Sequence, residues 1–449
     1  MGFSGNLRKR LIIIMLPLVF LLLASAIFFL WYKNPGRFPS TAILWTNRPE
    51  FAAYAELFNA SQELYQIEVV YKNEPAREIE EGKIDTNKQE LVPDLVAGAY
   101  LNNEKTIQRF SSLASLFATG ERDVERRTNL PLLDQSLFYQ DFLSRGENSA
   151  GQHILLPVSF DLPALAFLKS SRSGNQQFSL NLESIQEESA AYNVIRDGRF
   201  NRMGFSPRWN PEVLYEKTAL FRTNFTEAEK TGQVTWNQEA LDQAISFIRE
   251  WITTVNQGRD LEQQFIDTFL YDPPVKLLSD GRILFTYSTL RNFFHLAPEK
   301  RSALDFRWMA KNDLIPVNDD LLFIGIPNAA DARPAAGAFL LWFFQSDTQK
   351  KLLESSQFKR MRTFGIADGF SSLPSINEEI IPQYFPSLVG HIPPENYLSF
   401  PLPLPSRWNA MRKDVIIPWL LEKASADDPN QVPDLSERLE TWYRQKPLQ

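Results

Sequence analysis

The feature that most constrains the fold is the stretch from Thr41 to Tyr71, which is typical of a strand, a helix and a second strand. Residues 41–45 are short, apolar and β-prone. Pro49 suits the first turn of a helix, and residues 51–58 place apolar side chains on one broad helical face. Residues 66–71 resume the strand pattern. A unit of this kind predicts a parallel sheet with helices on its faces.

In such sheets ligands bind beyond the carboxyl ends of the strands. Trp45, Asn47 and Arg48 follow the first predicted strand, and Tyr100 follows a third strand predicted at residues 91–98. An aromatic face beside hydrogen-bonding groups is typical of a small-molecule site. The sequence therefore predicts a ligand site at this edge of the sheet.

Length and composition narrow the classes of function. The 449 residues leave room for two or three domains. A net charge of −7 argues against nucleic acid as a partner, because a nucleic-acid surface needs a basic stripe. The sequence contains no cysteine, which excludes disulfides, thiolate nucleophiles, zinc–sulfur sites and a lipid-modified cysteine.

An uncharged apolar segment at residues 11–32 is long enough to span a bilayer as a helix. We expect a basic cytoplasmic tail at residues 1–10, a transmembrane anchor or signal segment at 11–32 and a Pro/Gly tether at 33–40. The alternative is a cleaved signal peptide, because residues 24–26 resemble a signal-peptidase site. Both interpretations place the remaining chain outside the cytoplasm.

A second organising feature is the apolar segment at residues 154–168, which two prolines stiffen. It predicts a strand that leaves a first lobe, a crossover near Asp161 and a strand that enters a second lobe. The expected first lobe is residues 41–158 plus about 281–318. The expected second lobe is residues 159–280 plus about 319–449, with the C-terminal helices. Residues 237–255 give the clearest helical pattern of the chain.

Motifs for catalysis or cofactor binding are absent from the sequence. His153, His295 and His391 lie far apart in the chain, so neither a metal site nor another cofactor is expected. The sequence has no nucleophile elbow, phosphate-binding loop or dinucleotide fingerprint. A glycosidase with two carboxylates far apart in sequence stays open, because only their separation in space identifies such a pair.

Aromatic and polar residues recur at predicted strand ends and in the polar region of the second lobe. Each can be structural, and together they suggest a sugar site with flat faces for stacking and polar groups for hydroxyls. The candidate ligand-binding residues are Trp45, Asn47, Arg48, Tyr100, Asp161, Trp209, Trp236, Tyr287, Arg291 and Trp408.

These segments, in this order, resemble the sugar-binding group of extracellular solute-binding proteins of ABC importers, which includes maltose-binding protein. The start of the soluble part resembles the family's first strand, a helix ending in Phe58-Asn59 and its second strand. Pro93-Asp94 resembles the third strand. Residues 156–165 resemble the first hinge crossing, and residues 280–285 resemble the family's turn and returning strand. Residues 335–350 resemble the helix after the last hinge, and residues 406–408 resemble a late tryptophan helix near the sugar.

The resemblance implies an α/β periplasmic-binding-protein fold with two lobes, each a mostly parallel sheet flanked by helices, joined by hinge strands. It implies a non-enzymatic protein that crosses a bacterial cell membrane once and has its soluble part in the periplasm. Such a protein captures a small solute, a sugar or oligosaccharide, between its lobes and delivers it to the permease subunits of an ABC transporter. Trp45 and Trp408 match positions where aromatic residues often stack on sugar. Two alternatives remain: a carbohydrate-active enzyme with two carboxylates, and a degenerate binding fold that acts as a sensor or scaffold.

Overall fold

The computed structural model describes residues 39–82, 92–117, 130–172, 177–228 and 231–446. The predicted basic tail, the apolar segment and most of the tether therefore lie outside the described residues. Among the helices within those ranges, none combines the length and the apolar character that a membrane crossing requires.

The strands of the described residues form two larger sheets and three short two-stranded ribbons. In chain order they are β1 (Ser40–Thr46), β2 (Tyr65–Tyr71), β3 (Leu95–Ala99), β4 (Leu156–Phe160), β5 (Pro163–Leu168), β6 (Ser179–Asn181), β7 (Val194–Arg196), β8 (Arg199–Arg202), β9 (Thr226–Glu227), β10 (Val234–Thr235), β11 (Thr286–Thr289), β12 (Leu304–Ala310), β13 (Ile315–Pro316), β14 (Leu322–Gly325), β15 (Phe370–Ser371) and β16 (Leu398–Ser399).

The first sheet has the strand order β15-β4-β14-β3-β1-β2. β1 runs parallel to β2 and β3, whereas β14 is antiparallel to β3 and β4, and β15 is antiparallel to β4. β1 is an interior strand whose residues 42–46 are all buried. Burial on both faces explains why this strand is a continuous apolar run instead of an alternating one.

The second sheet has the order β11-β5-β12-β6, with β5 antiparallel to both neighbours and β12 parallel to β6. The prediction that each lobe is a mostly parallel sheet is wrong, because antiparallel pairs are the majority in both sheets. The parallel β1–β2 unit was visible in the sequence as a local motif. The direction of a strand that pairs from far along the chain has no such local signal.

Each large sheet is the centre of one lobe, which we name the first lobe and the second lobe. The predicted lobe boundaries need a correction after residue 280. β11 and β12, expected in the first lobe, pair with β5 in the second sheet, and β14, expected in the second lobe, lies between β3 and β4 in the first. Pairing across such long sequence separations depends on the tertiary fold and not on the local pattern.

The helices cover both sheets and extend the second lobe at the carboxyl terminus. In chain order they are α1 (Glu50–Ser61), α2 (Pro75–Glu81), α3 (Glu104–Ile107), α4 (Gln140–Ser144), α5 (Leu182–Tyr192), α6 (Pro211–Leu220), α7 (Gln238–Glu250), α8 (Arg259–Phe269), α9 (Pro274–Ser279), α10 (Leu290–His295), α11 (Pro298–Arg301), α12 (Arg333–Phe343), α13 (Ser346–Phe358), α14 (Ile381–Tyr384), α15 (Trp408–Met411), α16 (Ile417–Ser425) and α17 (Leu435–Gln445).

The core of the first lobe contains the aromatic face that the sequence predicts for α1. Phe51 stacks on Phe343 of α12 with ring centroids 5.9 Å apart, and Phe58 meets Phe339 edge-on at 5.4 Å. The last turn of α1 is fixed to β2 because the Asn59 side chain donates to and accepts from the Ile67 backbone. Aromatic contacts and this amide pair thus set how the helix lies on the sheet.

In the second lobe, α6 and α7 pack against α16 around an apolar cluster that also contains α15 and α17. The predicted helix at residues 237–255 is present as α7 followed by a π-helical turn at Trp251–Val255, and Asn237 caps its start. The C-terminal helices therefore complete the second lobe.

Lys217 on α6 is a buried cation with no hydrogen-bond partner for its Nζ atom. The ammonium lies 5.1 Å from the centroid of the Trp251 ring and 5.8 Å from that of Phe247. Burial lowers the pKa of Lys217 to about 7 from the ordinary 10.5. Protonation therefore opposes folding at this position.

We predict that Lys217→Met stabilises the protein at neutral pH, because methionine fills the same space without a buried charge. Because the pKa of Lys217 is depressed in the folded protein, the free-energy cost of burying its amine rises as the pH falls from 10.5 to about 7. Below that pH the cost is constant. The gain should be on the order of 2–4 kcal/mol at pH 7 and should vanish near pH 10. Urea unfolding of both proteins across this pH range measures it.

The matched control is Lys351→Met on the exposed face of α13, which removes a solvated lysine from a helix. Its effect should stay within about 0.5 kcal/mol at every pH. Equal effects of the two substitutions, or a loss of stability in Lys217→Met at pH 7, would contradict the assignment of a buried charge.

Candidate functional site

The candidate site lies where two segments cross from one lobe to the other. The first crossing joins β4 to β5 at Asp161 and Leu162, and the second is residues 317–321, which lead into β14. The crossings run side by side, because the backbone N–H of Asn318 donates to the carbonyl of Asp161 at 3.0 Å. This contact brings the side chains of Asp161, Asp319 and Asp320 between the lobes.

Arg291 connects both crossings to a loop of the first lobe. It lies in the first turn of α10, directly after β11. Its backbone N–H donates to both carboxylate oxygens of Asp161 at 3.2 and 3.3 Å, and its guanidinium donates to Asp320 at 2.8 Å. Its Nε also donates to the carbonyl of Asp368 at 2.8 Å. The backbone and the side chain of one residue thus bond to three separate segments.

Burial and charge act differently on the two neighbouring carboxyl groups. Asp161 is fully buried, and burial raises its pKa to about 6 although Arg291 opposes the shift. Burial would also raise the pKa of Asp320, but the attraction of Arg291 and Arg48 outweighs it and lowers that pKa. Asp320 is therefore the carboxylate of this pair that stays ionised over the wider pH range.

Asp319 joins the first lobe to the C-terminal helices of the second. Its Oδ1 accepts from the Tyr100 hydroxyl at 3.2 Å and from the Arg412 guanidinium at 2.9 Å. Its Oδ2 accepts from the indole nitrogen of Trp408 at 2.7 Å. Tyr100 belongs to the first lobe and occupies the left-handed region at φ 63°, so a strained residue supplies one of the bonds between lobes.

The first lobe contributes a second cation, Arg48, from the turn after β1. Its guanidinium lies 3.5 Å from the carboxylate of Asp320, and its backbone N–H donates to the Thr46 hydroxyl at 3.0 Å. A side-chain bond at the end of β1 thus holds the turn that presents this arginine to the second crossing.

A contact at the edge of the site also bridges the lobes. Lys105 of α3 lies 3.4 Å from the Oε1 atom of Glu227 in β9, and the Oε2 atom accepts from the backbone N–H of Ser406 at 2.7 Å. The lobes therefore meet directly in this conformation.

Glu216 of α6 is a carboxyl group without a hydrogen bond or ion pair among the described residues. It is 4% exposed, and the charges that act most strongly on it are those of Asp319, Arg412 and Glu212. Burial and the Asp319 carboxylate raise the pKa of Glu216 well above its usual range. Tyr287 of β11 is its partly buried neighbour, and burial together with Glu216 raises the pKa of that phenol.

Half of the predicted site residues meet at the crossings: Arg48, Tyr100, Asp161, Arg291 and Trp408. Tyr287 lies beside them. The indole of Trp408 packs against Tyr215 and Phe225 with ring centroids 5.9 and 5.2 Å apart. Its rings are therefore buried, and it acts here through its N–H.

Trp45 is not at the surface of a cleft, which corrects the prediction that it stacks on a ligand. It is 0% exposed because β1 is an interior strand covered on both faces, and the Lys72 ammonium lies 4.3 Å over its ring. Asn47, next along the chain, donates to the carbonyl of Asn73 instead of joining the charged residues.

Two predicted tryptophans lie elsewhere in the second lobe. Trp209 stacks on Phe265 of α8 at 5.6 Å and packs against two apolar clusters of the core. Trp236 donates its indole N–H to Gln238 at 2.8 Å at the start of α7. The structure therefore does not bring these residues to the crossings.

Sequence reasoning missed four important side chains: Asp319, Asp320, Arg412 and Glu216. The adjacent acidic residues Asp319 and Asp320 stand between apolar runs at 315–317 and 321–326, which is a readable sign of a polar crossing. Arg412 and Glu216 lie on helices, where nothing in the local pattern distinguishes them. No set of three or more His, Cys, Asp or Glu side chains in the described ranges is placed to hold a metal ion.

Comparison with known proteins identifies the fold. No family model and no curated protein matches the sequence. A cyclo/maltodextrin-binding protein complexed with maltotetraose is 13% identical with a TM-score of 0.61, covering 91% of this chain and 98% of that one. An ABC substrate-binding protein from Listeria monocytogenes in complex with cycloalternan is 12% identical with a TM-score of 0.60, covering 91% and 99%.

A cyclic alpha-maltosyl-1,6-maltose binding protein from Arthrobacter globiformis gives a TM-score of 0.59 at 13% identity, covering 90% of this chain and 96% of that one. Similarity over nearly the full length of each neighbour confirms the two-lobed periplasmic-binding-protein fold that the sequence predicts.

We predict that Arg291→Met destabilises the protein by about 3 kcal/mol or more, because it leaves buried carboxylates without their cation. The wild-type pKa of Asp320 is lowered, so the stability that it contributes is present at neutral pH and is lost as the pH falls through that pKa. The deficit of the variant should therefore shrink in acid. Urea unfolding at pH 7 and pH 4 measures both effects.

The control is Arg77→Met, which removes an arginine whose side chain is 64% exposed and pairs with Glu81. An exposed pair should contribute about 0.5 kcal/mol or less. If the two variants lose equal stability, Arg291 is not the structural centre of the crossings.

Proposed function

We propose that the protein captures a small solute, an oligosaccharide, between its two lobes and delivers it to the permease subunits of an ABC transporter. The observation that carries this proposal is the set of unmet hydrogen-bonding atoms at the crossings. The Nε atoms of Arg48 and Arg412 are buried donors without a partner, and the Oδ1 atom of Asn318 is a buried acceptor without one. A ligand that both donates and accepts satisfies all three.

Sugar hydroxyls have this double capacity, since each is one donor and an acceptor. The site also presents Tyr287 as a partly buried aromatic face. The neighbours with this fold support the same proposal, because one is complexed with maltotetraose, one is in complex with cycloalternan and one is a cyclic alpha-maltosyl-1,6-maltose binding protein.

Binding at the crossings also explains how capture changes the shape of the protein. A ligand that touches Arg48 in the first lobe and Arg412 in the second interacts fully only when the lobes are together. It therefore shifts the population toward the closed form. Such a change is the signal that a permease can read.

The attachment to the membrane is part of the proposal. The apolar residues 11–32, with Arg8, Lys9 and Arg10 before them, would anchor the chain and hold the lobes outside the cytoplasm. A peptide anchor is consistent with a sequence that has no cysteine for lipid attachment.

The pairing of the carboxylates favours binding over glycoside hydrolysis. A glycosidase needs one carboxyl group as acid and a second as base or nucleophile. Asp319 accepts three hydrogen bonds, Asp320 pairs with two arginines, and Asp161 accepts backbone N–H groups. These bonds hold Asp161, Asp319 and Asp320 as structural acceptors, so the unpaired Glu216 has no second free carboxylate beside it, among the described residues, to act as base or nucleophile.

The direct test is calorimetry of the full chain in detergent with maltotriose, maltotetraose, mannotriose and a cyclic tetrasaccharide. We expect at least one of them to bind in the micromolar range, which corresponds to about −8 kcal/mol. Hydrolysis products after prolonged incubation would instead support the enzyme. Failure of every sugar to bind would support the sensor or scaffold alternative.

We further predict that Arg48→Met lowers the affinity for the most tightly bound of these sugars by about 10- to 100-fold, because it removes a charged hydrogen-bond donor of the first lobe. Titration calorimetry measures the affinity, and thermal unfolding shows whether the variant is folded. Arg77→Met is again the matched control and should leave the affinity unchanged. Unaltered binding by Arg48→Met would place the ligand away from the second crossing.

A further inference from the structure

Carboxyl groups outnumber cations among the described residues of the candidate site, which suggests more about the ligand. The acidic side chains are Asp161, Glu212, Glu216, Asp319, Asp320 and Asp368, and the basic ones are Arg48, Arg291, Arg412 and His295.

Two arginines of the site, Arg291 and Arg412, already pair with carboxylates of the protein. Arg291 lies 2.8 Å from Asp320, 3.4 Å from Asp368 and 3.8 Å from Asp161. Arg412 is shared in the same way, at 2.9 Å from Asp319 and 3.4 Å from Glu212. Each of these cations thus serves more than one carboxylate.

Glu216 is left out of this pairing. It lies one helical turn after Glu212 on α6, and the Glu212 carboxylate lies 3.4 Å from the Arg412 guanidinium, so the two acidic residues share the face of α6 that meets the crossings. The residue is 4% exposed, and its carboxyl group makes no hydrogen bond or ion pair with the described residues. An ionised carboxylate that is buried without a partner is costly.

A second acceptor without a donor belongs to the same site. The Oδ1 atom of Asn318 is buried and unpartnered, and Asn318 directly precedes Asp319 and Asp320. Two unmet acceptors, in a site where carboxyl groups outnumber basic side chains, favour a ligand group with several donors and a positive charge. A primary ammonium has three donors and no acceptor, whereas a hydroxyl has one donor and no charge.

We propose that the solute carries a cationic amine, so that the substrate class is an amino sugar or amino-oligosaccharide, with its ammonium bound by Glu216. This inference rests on the proposed function, since it concerns the ligand of the same site. The ammonium favours the ionised form of Glu216, whose proton passes to solvent, so a neutral carboxyl group becomes one half of an ion pair and the net charge of the site is unchanged. A hydrogen bond between two charged partners is stronger than one between neutral groups.

The test compares matched pairs of probes that differ in one charge. The first pair is the β-1,4-linked glucosamine trimer and its fully N-acetylated counterpart. The second is maltotriose and maltotriose with an amino group in place of one primary hydroxyl. Calorimetry with the full chain should show the amine of at least one pair binding about tenfold tighter or more than its neutral partner.

Glu216→Gln keeps the shape of the side chain and removes its charge. In this variant the affinity for the amine should exceed that for its neutral partner by about threefold or less, because the amide of glutamine carries no charge to attract the ammonium. Glu239→Gln, an exposed change on α7 far along the chain from the crossings, should keep the full advantage. Thermal unfolding establishes that both variants are folded.

The outcomes separate this inference from the proposed function. If neutral sugars bind as tightly as their amines, or if the advantage survives in Glu216→Gln, the amine assignment is overturned and sugar capture stands. If no probe of either pair binds, and no sugar of the neutral panel binds, the proposed function fails and the amine assignment fails with it.

Discussion

The contact on which the rest of the structure depends is that of Arg291 with the crossings. Its backbone N–H and its guanidinium reach Asp161 in the first crossing and Asp320 in the second, and its Nε reaches the Asp368 carbonyl in the first lobe. Without this cation, Asp161 has no ion-pair partner among the described residues, Asp320 keeps only Arg48, and Asp368 keeps only His295. The arginine and the crossings therefore define one another's positions.

The two lobes supply different parts of the site, and this division has a physical reason. Each lobe has an apolar core in which a charge would be expensive. The crossings belong to neither core, so they can carry carboxylates, and the arginines approach them from the turn after β1 and from α10 and the helical segment after α15. Polar groups between the lobes can then rearrange without disturbing either core, as hinge closure requires.

The sequence was most informative where structure is local. The β1–α1–β2 unit, the α7 helix and the crossover at Asp161 follow from periodicity, capping and proline placement. The lobe boundaries after residue 280 did not follow, because β11, β12 and β14 are paired by the tertiary fold and no local pattern shows which sheet each strand joins. Trp45 shows the same limit. An aromatic residue at a strand end suggests the wall of a ligand site, but β1 is buried on both faces, so Trp45 belongs to the core.

The acidic pair at positions 319 and 320 could be recognised in the sequence as a polar crossing. Glu216 and Arg412 become recognisable only when their helices are placed beside that pair.

The geometry at position 291 also explains why an arginine occupies it. The guanidinium donates from Nε toward the Asp368 carbonyl and from a terminal nitrogen toward Asp320, so a planar group reaches acceptors in two directions at once. The Asp368 acceptor sits in a loop where Ala367 and Asp368 both occupy the left-handed region, at φ 46° and 63°. Strain of this kind persists only where surrounding bonds determine it. A lysine would offer the same charge from a single point on a flexible stem. A lysine could therefore bond to Asp320 of the second crossing or to the carbonyl of Asp368 in the strained loop. Bonding to both at once requires the separated N–H donors of a planar guanidinium.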